Sequence, residues 1–505
     1  MGSWFVIGKR DGEFFGSFEG FLGAFGDFTL IFIWTMANVF YTARKTLRNY
    51  ASGGNVLMGA TLLALIVVNI PGLTDFYNSL WTHEIALQVG RFNLFSHHGE
   101  PMSIMAFIND ALMAIVFFTI GLEIKREVLV GELSSFRKAL LPIMAAIGGM
   151  VLPVGIFMLL AHGTDYVAGA AIPMATDIAF SLGVLSMLGN RVPISLKIFL
   201  TTLAVVDDIG GILVIAIFYS SHIDFVMLAI AAGLLVLLFI GGKLGIQTKI
   251  FYLGIGAFVW FLFLNAGIHP TIAGVLVAFC IPAVPVYAPK KYVKIIRENI
   301  GNFQREDDER LSSRTILTKE QMNWLKEIET ASDKVISPLQ DLEDSLHPVV
   351  NYIIVPLFAF ANAGIYFGDL EISSLFSGVS LAIVIGLVVG KFLGILSFSW
   401  LTVKLGLTPM PEGCNWKQMA SISLLGGIGF TVSLFIANLS FGNADPIQSQ
   451  LLNSAKLGVV AGSFIAGFLG WLMLHRTLPK TPADNASEDP ETEEKERTAN
   501  ELAEI

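Results

Sequence analysis

Two adjacent carboxylates, Asp207 and Asp208, lie near the middle of an apolar run that covers residues 199–219. The run is long enough to cross a bilayer, since a spanning helix needs about 20 apolar residues. An ionisable side chain at membrane depth costs at least about 2.5 kcal/mol and normally faces a cavity where it handles ions or protons. The pair therefore predicts an ion-handling site, and the alternative is a buried charge pair with no role in transport.

Asp177 and Lys391 also interrupt apolar runs. Asp177 follows Pro173 and Thr176, and a helix broken there would offer free carbonyls and a hydroxyl to a small hard cation. A purely structural role for Asp177 stays open. Lys391 needs a carboxylate partner at membrane depth, for which Asp207 and Asp208 are the candidates, unless it extends to the membrane surface instead.

Further charges lie in the apolar run that begins near residue 103. Asp110 lies within this run, and a structural and a functional role are both open for it. Glu123, Lys125, Arg126 and Glu127 form a dense cluster near its end. Such a cluster is usually a solvated helix end, but at the mouth of an ion path it can attract or gate cations.

The composition is typical of a polytopic helical membrane protein. Of 505 residues, 54% are hydrophobic and only 14% charged, and apolar runs of spanning length recur along the chain. The two cysteines, Cys280 and Cys414, lie in or beside apolar segments and predict no disulfide. Because the sequence has no P-loop and no competing enzyme signature, it predicts a transporter driven by an ion gradient, without a cofactor, rather than an enzyme.

The apolar runs predict about twelve transmembrane helices, eight in a first block and four in a second. A polar cytoplasmic insertion separates the blocks, and an acidic, disordered tail ends the chain. The N-terminal extension contains the run 21–41, which is either an extra spanning helix or an interfacial one. In chain order the segments are 1–50 (extension), 51–285 (helices 1–8), 286–346 (insertion), 347–476 (helices 9–12) and 477–505 (tail).

The loops predict the orientation. Lys and Arg concentrate in alternate connections, which places both ends of the twelve-helix core in the cytoplasm. The connection over residues 85–95 has mixed alternation around a glycine and predicts a small external hairpin. Because surface ribbons of this kind pair with copies of themselves, the hairpin is a candidate homodimer contact.

A faint internal repeat relates residues 177–182 to residues 427–432. The two spans have opposite orientations in the predicted topology, which is typical of inverted repeats. Small and polar residues at matching positions then predict two discontinuous helices. Their breaks are expected at residues 175–177 and 426–429.

Seven short passages carry a family pattern: FINDALM (107–113), GLEIKRE (121–127), ATDIAF (175–180), RVPISLKIF (191–199), VDDIG (206–210), PLFAFANAG (356–364) and GGIGFT (426–431). Over about residues 51–476 the chain resembles the NhaA family of sodium/proton antiporters. The resemblance implies an all-α membrane fold with inverted-topology repeats and two discontinuous, crossing helices.

The resemblance also implies roles for individual residues. Asp207 and Asp208 would bind the cation and accept protons, Lys391 would pair with Asp207, and Thr176 and Asp177 would complete the sodium site. The positions that the family associates with support or with the pH response are Asp110, Glu123, Arg126, Glu127, His269 and Glu343.

The activity that the resemblance implies is electrogenic exchange of outward Na⁺ or Li⁺ for inward H⁺, by alternating access with competition for the paired aspartates. It would serve sodium and pH homeostasis, in a homodimer in the bacterial inner membrane, with no nucleic-acid partner. Two alternatives stay open, a sodium-coupled carrier of organic solutes on a related inverted-repeat fold and an uncoupled channel.

Overall fold

The computed structural model describes residues 53–479, apart from short gaps. The N-terminal extension, including the run 21–41, and nearly all of the acidic tail therefore lie outside the described residues. The gaps are at residues 86–87, 90–91, 94, 98–99, 221–222, 286–288, 306–317, 370–374 and 443–444.

Helices dominate the described part of the chain. They are α1 (Gly53–Val68), α2 (Thr74–Thr82), α3 (Ile104–Leu129), α4 (Phe136–Leu160), α5 (Ile178–Ser186), α6 (Ile194–Phe218), α7 (Phe225–Lys243), α8 (Lys249–Asn265), α9 (Pro270–Cys280), α10 (Pro289–Arg305), α11 (Lys319–Val335), α12 (Pro338–Asn362), α13 (Gly378–Lys404), α14 (Trp416–Leu425), α15 (Phe430–Phe441) and α16 (Pro446–Thr477).

Within these residues, eight helical segments are long and apolar enough to cross a membrane, or nine if the bent pair α14 and α15 is one span. Three shorter apolar helices, α1, α8 and α9, fall below that length. The class of multi-pass helical membrane protein is confirmed, whereas the count of twelve spans stays a prediction.

Many large apolar side chains face outward. Leu159 and Ile250 are each 80% exposed and Phe225 is 76% exposed. Large apolar surfaces of this kind are unfavourable in water but match hydrocarbon, where helices also satisfy their own backbone polar groups.

Five short strands connect α2 to α3: β1 (Glu84–Ile85), β2 (Gln88–Val89), β3 (Phe92–Asn93), β4 (Ser96–His97) and β5 (Glu100–Ser103). Strands β2 and β3 pair antiparallel, with Val89 opposite Phe92, and β5 pairs antiparallel with both β1 and β4. The hairpin predicted over residues 85–95 is therefore confirmed, and its external location and role in a dimer stay predictions.

The insertion contains α10 and α11, which pack against each other. Helix α11 begins at a capping box in which the Thr318 hydroxyl accepts from the Gln321 amide and the Gln321 side chain accepts from the Thr318 amide. The next helix begins at Pro338, before the boundary at 347 predicted for the ninth span. Helix α11 ends at Val335, before Pro338, and Pro338 is the first residue of α12, where its fixed φ is favourable and no amide is needed.

Helix α3 lies between two apolar cores. Met113, Phe117 and Ile124 pack in the larger core, together with residues of α6, α12 and α15. Phe118 and Leu122, on another face of α3, pack in a smaller core with α7, α8 and α9. Helix α3 thus packs against two groups of helices on different faces.

Candidate functional site

The first predicted break lies between a 3₁₀ helix, Val167–Met174, and α5. Residues Ala175 and Asp177 have extended backbone conformations, and the helix resumes at Ile178. Asp177 is the N-cap of α5, because its Oδ1 accepts from the Phe180 amide at 2.9 Å.

The second break separates α14 from α15, whose axes differ by 43°. Three of the four residues between them are glycines, which are poor helix formers. A Cβ atom at Gly429 would lie 2.9 Å from the carbonyl oxygen of Ala175. Glycine at this position therefore lets the second break lie directly against the first.

Hydrogen bonds join the two breaks. The Asp177 amide donates to the Ile428 carbonyl at 2.6 Å, and the Thr431 amide and hydroxyl donate to Asp177 Oδ2 at 3.0 and 2.6 Å. The Ser433 hydroxyl donates to the Ile172 carbonyl at 2.7 Å. Each break satisfies backbone groups of the other, and the Asp177 carboxylate caps the N-termini of both α5 and α15.

Asp207, on α6, lies beside this junction and is 1% exposed. Its Oδ2 forms an ion pair with the Lys391 ammonium and accepts from the Thr176 hydroxyl at 2.6 Å. The Lys391 ammonium is also 3.0 Å from the Thr176 oxygen. Asp207 Oδ1 is buried and accepts no hydrogen bond from the described residues, which is unusual for a buried carboxylate oxygen.

Local helix geometry places Lys391. A π-helical turn, Gly386–Gly390, immediately precedes it, and such turns occur frequently at functional sites. A Cβ atom at Gly390 would lie 2.8 Å from Cα of Pro153 on α4, so small residues bring α13 close to α4. Lys391 is 0% exposed as a result, and its ammonium does not reach the membrane surface.

Asp208 is 5% exposed and has no hydrogen bond or ion pair with the described residues. It lies within electrostatic range of Asp207, Asp177, Glu123 and Lys391. Carboxylates therefore outnumber the one ammonium here, which favours binding of a small cation or of protons. In the described part of the chain, no group of three or more His, Cys, Asp or Glu side chains is placed to hold a metal ion.

The charged cluster at the end of α3 joins that helix to α12. The Arg126 guanidinium lies 2.9 Å from a Glu343 carboxylate oxygen and 3.1 Å from one of Glu127. Glu123 lies within electrostatic range of all three of these side chains and also of Asp208. Glu123 is thus a member of the charged cluster that also lies near the buried site.

Asp110 and His269 form a separate pair. The His269 Nε2 is 3.7 Å from Asp110 Oδ1, and its Nδ1 is 2.8 Å from the Thr271 hydroxyl. Asp110 lies in a π-helical turn, Phe107–Leu112, near the start of α3. The six supporting positions therefore form two groups near opposite ends of α3.

Several polar residues that no sequence pattern assigned to the site lie at or near it in the structure. Thr431 and Asn362 occur in the passages GGIGFT and PLFAFANAG, so a polar residue within an apolar run was the available signal. The unassigned residues with hydrogen bonds between helices are Asn109, Ser181, Asn362, Thr431, Ser433 and Asn438.

Buried charges beside two interrupted helices define the class of polytopic membrane proteins that handle ions within the bilayer. Comparison with known proteins identifies the family. Residues 44–474 match the family model described as Na+/H+ antiporter 1.

Three relatives, each named "Na(+)/H(+) antiporter NhaA", illustrate the similarity. The Bacteroides fragilis protein is 55% identical over 444 residues, 87% of this chain and 99% of that protein. The Phocaeicola vulgatus protein is 54% identical over 450 residues, 88% and 98% of the two chains. The Oleidesulfovibrio alaskensis protein is 42% identical over 424 residues, 84% and 91%. This chain belongs to the Na+/H+ antiporter 1 family.

Proposed function

We propose that this chain exchanges Na⁺ or Li⁺ for H⁺ across a membrane. The observation that carries the proposal is the pair Asp207 and Asp208, buried beside Lys391 where two helix breaks meet. Asp207 Oδ1 and the Asp208 carboxylate have no donors among the described residues. A buried acceptor such as Asp207 Oδ1 needs a partner, and a cation or a proton supplies one.

Asp208 is the primary cation ligand in this proposal. Asp207 Oδ1 and the Thr176 hydroxyl are the further oxygen atoms beside the bound cation. The Asp177 carboxylate balances the helix N-termini and lines the second wall of the site. Lys391 holds Asp207 ionised when the cation is absent. Protons and the cation compete for the same carboxylates, and this competition couples the two fluxes.

Alternating access requires that the site open to one side at a time. The two breaks cross at the site and move together as one unit. In this proposal the nine long spans and the three shorter apolar helices of the described residues are the twelve helices of the transmembrane core. Both ends of this core face the cytoplasm, because the basic loops are concentrated on that side.

The same proposal covers regulation and assembly. Glu123, Arg126, Glu127 and Glu343 respond to cytoplasmic pH, and Asp110 with His269 supports the opposite end of α3. The exchange is electrogenic, with Na⁺ leaving as protons enter, and serves sodium and pH homeostasis. The protein works as a homodimer in the bacterial inner membrane, with the external hairpin as one contact.

The test is sodium-driven pH change in proteoliposomes, with and without an imposed membrane potential. Asp208→Asn keeps the shape of the side chain but removes its charge, so exchange and sodium-induced proton release are expected to stop. Asp224→Asn is the matched control, because Asp224 is an exposed carboxylate at the start of α7. Undiminished exchange by Asp208→Asn would overturn the assignment.

The same vesicles separate the alternatives. A carrier of organic solutes would accumulate a labelled solute under a sodium gradient without moving protons. A channel would pass sodium without any coupled pH change. Only an electrogenic antiporter gives a pH change that reverses with the sodium gradient and responds to the membrane potential.

A further inference from the structure

Three asparagines form a directed hydrogen-bond chain across three helices. Asn438 of α15 donates from Nδ2 to Asn362 Oδ1 of α12 at 2.8 Å, and Asn362 Nδ2 donates to Asn109 Oδ1 of α3 at 2.9 Å. The second hydrogen of each amide goes to a carbonyl of its own helix, Leu434 and Phe358 respectively. Both donor groups are therefore fully used, which fixes the direction of the chain.

All three asparagines lie at the same end of the helix bundle. Asn362 is the last residue of α12, Asn438 lies near the end of α15, and Asn109 lies near the start of α3. In the proposed orientation this end is external. The three hydrogen-bonded asparagines thus lie between the buried aspartates and the external side of the membrane.

An aromatic layer lies one helical turn deeper on α15. The ring of Phe435 contacts Phe117 of α3, Phe358 of α12 and the imidazole of His269, with centroid separations of 5.6, 6.3 and 5.2 Å. The face of α15 that meets α3 and α12 therefore has an apolar layer at Phe435 and a polar contact at Asn438.

The helices on the two sides of this contact belong to different units. Helices α3 and α12 are joined near both ends, by the amides of Asn109 and Asn362 and by the ion pair between Arg126 and Glu343. Helix α15 is instead joined to the broken segment that carries Asp177. Movement of the site relative to α12 must separate Asn438 from Asn362.

We propose that Asn438 is a positioning residue that latches the external side of the site through Asn362, and that this bond opens each time the site is exposed outward. This proposal depends on the proposed alternating access. Asn362 remains bound to Asn109 throughout the cycle, because both lie in the unit formed by α3 and α12. The hydrogen bond between Asn438 and Asn362 is weak enough to be broken in every turnover.

The first test is cross-linking in a background of Cys280→Ser and Cys414→Ser. The pair Asn362→Cys and Asn438→Cys joins the two units, and the control pair Asn109→Cys and Asn362→Cys joins helices within one unit. A short bifunctional methanethiosulfonate is applied to each. After cross-linking, exchange by the Asn362→Cys and Asn438→Cys variant, called the latch pair, is expected to fall at least about tenfold, because the site cannot open outward. Reduction with dithiothreitol is expected to restore exchange.

Sodium binding distinguishes a locked site from a damaged one. The cross-linked latch pair is expected to bind ²²Na⁺ in detergent, since the site itself is unchanged. Continued exchange by this pair overturns the proposal, and so does an equal loss in the control pair. Exchange before cross-linking tests the proposed function separately.

A second test does not require transport. Asp208→Cys is labelled by an impermeant cationic methanethiosulfonate, applied to each face of sealed vesicles. Adding Asn438→Leu is expected to raise labelling from the face where α12 ends by about threefold to tenfold, the factor for one interhelical hydrogen bond. Adding Asn109→Leu instead should leave it unchanged. Unchanged labelling with Asn438→Leu, or an equal rise with Asn109→Leu, refutes the latch.

Discussion

Replacing Asp177 with alanine is expected to destabilise the junction of the two broken helices more than the loss of an ordinary helix cap. The carboxylate accepts from the Phe180 amide at 2.9 Å and from the Thr431 amide and hydroxyl at 3.0 and 2.6 Å. Loss of one N-cap costs about 0.5–2 kcal/mol. Two caps are lost here, and both helix ends are buried, so we expect about 2–4 kcal/mol in total.

Asp224→Ala is the matched control. Asp224 caps only α7, through the amides of Val226 and Met227, and it is exposed at the surface. Its loss is expected to cost about 0.5–1 kcal/mol, the lower part of the range for caps. Asp177→Asn retains one acceptor oxygen and the shape of the side chain, so it is expected to fall between the two alanine variants.

The assay is the free energy of unfolding in mixed detergent micelles, measured together with equilibrium binding of ²²Na⁺. If Asp177 acts mainly as a cap, Asp177→Asn keeps measurable sodium binding although stability falls. If the free energy of unfolding changes no more for Asp177→Ala than for Asp224→Ala, the double-cap explanation is wrong. Loss of sodium binding in a fully stable Asp177→Asn protein would instead identify Asp177 as a direct ligand.

Three further outcomes are expected. Lys391→Met leaves the buried Asp207 without its cation, so Asp207 is expected to stay protonated throughout the cycle, and the proton stoichiometry measured in proteoliposomes falls. Gly394→Leu places a side chain against the backbone of Gly148, and separation of α13 from α4 is expected to lower both thermal stability and exchange rate. The apparent sodium affinity of the unmodified protein should weaken as the pH falls, by up to about tenfold for each pH unit in the range where one competing carboxyl becomes protonated. Isothermal titration calorimetry measures this affinity. An affinity independent of pH would contradict competition between sodium and protons.

Local sequence was sufficient to predict the membrane class and the helix breaks. A charged residue in an apolar run can be recognised from the sequence alone. It indicates a buried site, because the cost of removing the charge from water must be balanced by some partner. Pro173 precedes the first break within a 3₁₀ helix, and the three glycines of residues 426–429, which are poor α-helix formers, lie in the second break. The capping box at Thr318 and the hairpin over residues 85–95 are also local patterns, and both are present in the structure.

Residue spacing alone left each buried charge with several possible partners, and the tertiary structure decided among them. Asp207 and Asp208 are adjacent in sequence, yet Lys391 reaches Asp207, because small residues bring α13 against α4 and a π turn directs the side chain. The six supporting positions divide between the two ends of α3, which depends on how α9 and α12 pack on that helix. One hydrogen bond among the three asparagines joins residues 253 positions apart. Sequence spacing carries no information about such contacts, since they form only when separate helices pack.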